Sequence, residues 1–172
     1  MTSQRLATVS TYFTPQHDHT IRFPSAPVAL RASSGGPRGL LLDVSHVFGI
    51  EASPEQGPCR RRWRVTTRMY QYRLFDRNER ELLVYHWQPG EAFLGPDHPH
   101  VHVSAALLAH VTAVETETIE LASRHPITCR VSLEGFVRML IEEFGVAPQR
   151  ADWRETLDRT EAAFWEEVTR RA

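Results

Sequence analysis

Hydrophobic and polar positions change rhythm along this chain, alternating in twos over its first two thirds and in a helical period after about residue 130. Leu133, Phe136, Val137, Leu140, Ile141 and Phe144 fall at i, i+3, i+4, i+7, i+8 and i+11, one face of a 3.6-residue helix. Ser132 is suited to cap its start and Gly145 to end it. After Pro148, Asp152 followed three residues on by Glu155 predicts a second helix opening on a capping box. That helix carries Trp153, Leu157, Phe164 and Val168 along one side.

The earlier part reads as strands. "LLLDVSHVFGI", Leu40 to Ile50, and "WRVTTRMYQYRLF", Trp63 to Phe75, are rich in β-branched and aromatic residues. In the second, the apolar positions start on odd numbers (Trp63, Val65, Met69) and move to even ones (Tyr70, Tyr72, Leu74). A phase change inside a strand predicts a β-bulge. The polar "DRNERE", Asp76 to Glu81, turns the chain into the returning strand "LLVYHW", and "HPHVHVS" follows after a longer loop. The expected fold class is α+β: an antiparallel β-sheet, made of a central hairpin and a following strand, packed by two C-terminal α-helices. Residues 1–38 read as an N-terminal arm or edge element with a Ser/Gly/Pro-rich loop, Arg31 to Gly39. Residues 39–172 read as a single α+β domain, with 39–112 supplying the sheet and 130–170 the helical part.

Composition narrows the function classes. A hydrophobic fraction of 41% and a charged fraction of 24% describe a globular chain. No apolar run approaches the roughly 20 residues of a membrane span, and the N-terminus lacks the layout of a secretory signal. A cytoplasmic location and no membrane partner are the expectation. Cys59 and Cys129 form no CxxC pair, which removes zinc-ribbon and thioredoxin chemistry. No P-loop, Rossmann glycine pattern or nucleophile elbow occurs. Residues 1–80 hold 12 Arg against 6 acidic residues, a formal +6, and residues 81–172 hold 8 against 15, a formal −7. A basic first half suits a phosphate backbone or an acidic partner, unless the two halves neutralise each other. Arg60, Arg61, Arg62, Arg64 and Arg68, set around Trp63, are its candidate nucleic-acid contacts.

The candidate chemistry sits in "GPDHPHVHV", where His98, His100 and His102 recur at every second residue. On a strand these share one face, with Val101 and Val103 on the other. Neighbours two apart stand about 6.6 Å from each other along the strand, close enough for both imidazoles to reach one metal. The outer pair is roughly 13 Å apart, too far for all three to hold one ion. A site for a divalent metal, zinc by its donors, therefore combines His100 and His102 with a ligand from elsewhere. His86, Asp97, His110 and His125 are the candidates. Without metal, the same imidazoles suit an acid–base pair near neutral pH.

Two resemblances follow from these residues. His-x-His-x-His at 98–102 resembles the signature of the histidine-triad nucleotide hydrolases and transferases. That likeness casts His100 as nucleophile, with His98 and His102 in support. The succession "YQYRLFD", "YHW" and "HPHVH", from Tyr70 to His102, is similar to the TumE-like toxins of bacterial toxin–antitoxin pairs. It implies action on RNA, catalysis by His86, His98, His100 and His102, and a cognate antitoxin or other protein partner. Tyr70, Tyr72, Tyr85 and Trp87 would then stack on unpaired bases. The tail "HPITCRVSLEGFVRMLIEEFGV" is similar to a group of bacterial proteins that carry no assigned activity. Three readings stay open: an RNA-directed toxin component, a non-enzymatic binding or partner module on the same sheet, and a metal-dependent or histidine-triad-like phosphohydrolase.

Overall fold

The computed structural model describes residues 5–8, 14–32, 36–53, 63–90, 96–104 and 126–169. They form strands β1 (Ala7–Thr8), β2 (Asp18–Arg22), β3 (Val28–Arg31), β4 (Pro37–Ala52), β5 (Trp63–Asp76), β6 (Glu81–Trp87) and β7 (His100–Val103), then helices α1 (Leu133–Glu142) and α2 (Trp153–Thr169). The seven strands make one antiparallel sheet in the order β1-β2-β4-β5-β6-β7, with β3 also paired to β4. The α+β class is as the hydrophobic rhythm predicts.

The described N-terminal residues add β1, β2 and β3 to one side of β4, with β1 and β3 at the edge. β2 pairs with the second half of β4 (Arg22 opposite Ser45) and β3 with its first half (Val28 opposite Leu42). Pro24 and Pro27, which cannot donate to a ladder, lie in the gap between them. Phe23 leaves the edge there and is buried in the core.

The bulge predicted from the phase change falls at Arg68. Val47 faces Met69 and Phe48 faces Thr67, so Arg68 is the additional residue. A second register shift, between Leu74 opposite Leu83 and Phe75 opposite Glu81, leaves Leu82 as the additional residue on β6. The intervening turn is held by Asp76, whose Oδ1 accepts from the backbone N–H of Asn78 (2.8 Å) and of Arg80 (2.9 Å).

Register sorts the side chains onto two faces. Leu42, Val44 and His46 line up with Leu74, Tyr72 and Tyr70, then with Leu83, Tyr85 and Trp87, and finally with Val103 and Val101. α1 packs on this inner face, with the Phe136 ring 5.5 Å from that of Tyr72 and 5.8 Å from that of Tyr85. The opposite face carries Asp43, Ser45, Gln71, Arg73, Val84, His86, His100 and His102.

Ser132 caps α1 as its sequence position suggests, its Oγ accepting from the Gly135 N–H at 2.8 Å, and Gly145 follows the helix at φ 63°. The start of α2 differs from the capping-box expectation. The Asp152 carboxylate accepts instead from the Arg150 guanidinium at 2.8 and 2.7 Å. Arg138 ties the two helices together through Asp158 (2.8 Å) and Glu161 (3.1 Å).

Candidate metal centre

His86 on β6 stands directly opposite His100 on β7, and His102 is one step further along the same face. The Nε2 atoms of His86 and His100 are in close contact, and His102 Nε2 lies 3.2 Å from His86 Nε2. One ligand atom from each of the three lies within 4.8 Å of the others. A tetrahedral ion with Zn–N bonds of about 2.0–2.1 Å sets its nitrogens roughly 3.3 Å apart, so small ring rotations bring this trio to that spacing.

The rings are set edge to face. Centroids are 4.1 Å apart for His86 and His100, 4.8 Å for His86 and His102, and 5.0 Å for His100 and His102. His100 Nδ1 lies 2.8 Å from the His98 carbonyl oxygen. A carbonyl only accepts, so that nitrogen carries the proton and the His100 Nε2 lone pair is directed at its neighbours. The three imidazoles face a common centre, where a proton can be shared or, after those ring rotations, a cation held between them. His100 is buried, whereas His86 and His102 are half-buried, so the cluster opens on their side.

The site departs in one respect from a three-histidine strand face. β7 begins at His100, so His98 precedes the strand and supplies its carbonyl, while His86 supplies the third ring. Of the other candidate ligands, Asp97 is exposed and its Oδ1 accepts from the Gly90 N–H at 3.3 Å. His110 and His125 lie outside the described residues. Residues 126–128 run along the outer edge of β7, with Val101 N–H donating to the Pro126 carbonyl and Thr128 N–H to that of Pro99. His100, the nucleophile of the triad resemblance, is only 2% exposed and directs its Nε2 at His86. On the same open face, one residue pair along from Gln71, an open hollow of about 630 Å³ is lined by Val47, Met69, Arg68, His17 and Pro89.

The proposed RNA-contacting residues are placed differently from that role. Tyr70 and Tyr72 are 1% and 0% exposed and stack on each other with ring centroids 4.9 Å apart. The Tyr70 hydroxyl accepts from the Val131 N–H at 3.0 Å. Trp87 is buried beneath the Arg130 guanidinium, 4.0 Å from its ring centroid, and Tyr85 faces Phe136. These aromatics build the core, because the strand parity that makes them prominent in sequence directs them at α1. Arg64 pairs with Glu51 at 3.0 Å, and Arg68 with Glu51 at 2.8 Å and Asp18 at 3.5 Å. Arg60, Arg61 and Arg62 lie outside the described residues.

One further polar cluster belongs to no sequence motif. His46, on the inner face, bonds through Nδ1 to the Tyr72 hydroxyl (2.9 Å) and through Nε2 to Thr67 Oγ1 (3.2 Å). Burial lowers its pKa from 6.5 to about 4, which keeps it neutral. Its signal was the alternation Leu42, Val44, His46, which places it in phase with core residues. No helix among the described residues is long and apolar enough to cross a membrane. Set against protein-family models, curated proteins and solved structures, the chain matches none of them.

Proposed function

We propose that this protein is a metal-dependent hydrolase whose centre is a single zinc-class ion held by His86, His100 and His102. The observation that carries this reading is the convergence of the three imidazoles from two neighbouring strands to within 4.8 Å. Three protein nitrogens and an open position are the donor set of catalytic zinc, in contrast to the four closed ligands of structural sites. Such an ion lowers the pKa of bound water toward 7 and polarises the bond under attack. The chain contributes a ring orientation fixed by the His98 carbonyl, a two-strand base, and a hollow on the same face of the sheet as room for a substrate. Burial of the aromatics and internal pairing of Arg64 and Arg68 weigh for this reading over RNA recognition.

The test is metal content and activity of untagged protein. One zinc per chain is expected, along with the visible absorption of a four-coordinate site after cobalt exchange. Both are lost in His86→Ala and His102→Ala. Hydrolysis of bis(p-nitrophenyl) phosphate or p-nitrophenyl acetate should disappear on chelation and return with zinc. Protein that takes up no ion at micromolar zinc, or a His86→Ala variant that retains it, overturns the assignment.

A further inference from the structure

On the other face of the sheet, a second, partly open pocket lies where β4, the residues around β1 and both helices meet. α1 buries Phe136 and Leu140 completely but leaves Leu133, Val137 and Ile141, its i, i+4, i+8 stripe, only half covered. Trp153 and Leu157 of α2 stand across from that stripe, and Phe23, drawn in from the interrupted edge strand, closes one side. The space between them is about 400 Å³, the size of a small-molecule site, and its walls are mostly apolar.

Its polar lining is of one sign. Arg5, Gln149, Arg150 and Thr156 reach it, and no carboxylate does among the described residues. Arg150 is already engaged by Asp152. Arg5, exposed just before β1, pairs with no carboxylate among the described residues. An apolar pocket with an exposed guanidinium in its lining complements a molecule with one hydrophobic chain and one negative head.

We infer that this cavity binds a small anionic amphiphile of the fatty-carboxylate class. Its chain lies between Val137, Ile141, Trp153 and Leu157, and its head accepts hydrogen bonds from Arg5. Val44 lines this chamber, while its neighbour Asp43 points to the histidine face, so the two sites are separated by the thickness of the sheet.

Decanoate, titrated into the full chain below its aggregation concentration, tests this by calorimetry and by tryptophan fluorescence. Trp153→Phe identifies the signal that comes from the chamber wall. Saturable binding of one decanoate per chain is expected, with Arg5→Gln weakening it about three- to tenfold and leaving decanol unchanged. Val137→Phe, which fills the chamber, should abolish binding of both. Leu157→Phe repeats that test from the other wall should the first variant unfold. Absence of saturable decanoate binding, equal affinity in Arg5→Gln, or undiminished binding in a folded filled variant each overturns the inference. His86→Ala should bind decanoate as the wild type does, and loss of binding there would also overturn it.

Discussion

Replacing His46 by glutamine should remove a pH dependence of stability that the structure places in a defined window. Both ring nitrogens of His46 are engaged, one by the Tyr72 hydroxyl and one by Thr67 Oγ1. A neutral imidazole donates from one nitrogen and accepts at the other, so protonation would reverse one of these bonds inside the core. Burial accordingly holds the folded-state pKa at about 4, against 6.5 for the free side chain. In the unfolded chain the ring takes up a proton as pH falls through 6.5, whereas the folded chain does so only near 4. Lower pH therefore favours unfolding. The contribution is complete above the unfolded value, declines by up to about 1.4 kcal/mol per pH unit, and is exhausted near the folded value. Across the whole window it amounts to about 3 kcal/mol. Urea unfolding of wild type and His46→Gln between about pH 7.5 and 4.5 measures it as a difference, in which other histidines cancel. At neutral pH the variant loses about 1–3 kcal/mol from the disturbed bonds to Tyr72 and Thr67. The gap between the two proteins should then close as the pH drops. Parallel curves would refute the reasoning, as would an NMR titration placing the His46 ring near 6.5.

Chelation should remove about 2.7 kcal/mol of stability from the wild type when zinc had been held 100-fold above its Kd, read as a lower melting temperature, and should leave His86→Ala and His102→Ala unchanged. Gly49→Ala should destabilise by about 1 kcal/mol, because a Cβ there would stand 2.8 Å from Arg68 Nε, which Glu51 and Asp18 hold in place. In an Arg68→Ala background the same alanine should cost less, and a double-mutant cycle in urea reads that coupling. Ser132→Ala removes the cap of α1 and the bond to Glu161, and chemical denaturation should show a loss of about 1–2 kcal/mol. Phe136→Ala, opening the space between α1 and the tyrosine pair, should cost about 3–5 kcal/mol in the same assay.

The parts of the fold that were legible in sequence depend on local periodicity. α1 was readable because its cap, its apolar stripe and its terminating glycine all lie within fourteen residues, Ser132 to Gly145. The bulge at Arg68 was readable because it changes the parity of a long apolar strand. The division of one edge into β2 and β3 was not, since each piece is too short to show alternation and only pairing with β4 makes them strands. Tyr70, Tyr72 and Trp87 show the limit of reading aromatics as ligand contacts. The same residue types and spacing suit a stacking platform or a core, and burial decides between them.

The histidine centre has the same dependence on register, through a single residue. Counting straight back from the turn, with Phe75 opposite Glu81, would set His86 across from Tyr70 on the inner face and Trp87 on the open one. Leu82 bulges out of β6, and from Leu83 onward every residue is moved by one, so that Trp87 meets Tyr70 and His86 meets Gln71. A one-residue slip exchanges the two faces of a strand. The core gains an indole in place of an imidazole, which favours this register by apolar burial alone. Placement of His86 beside His100 and His102 follows from that preference. HPHVH thus contains two of the three rings, and the third is set by the packing of a tryptophan on the opposite side of the sheet.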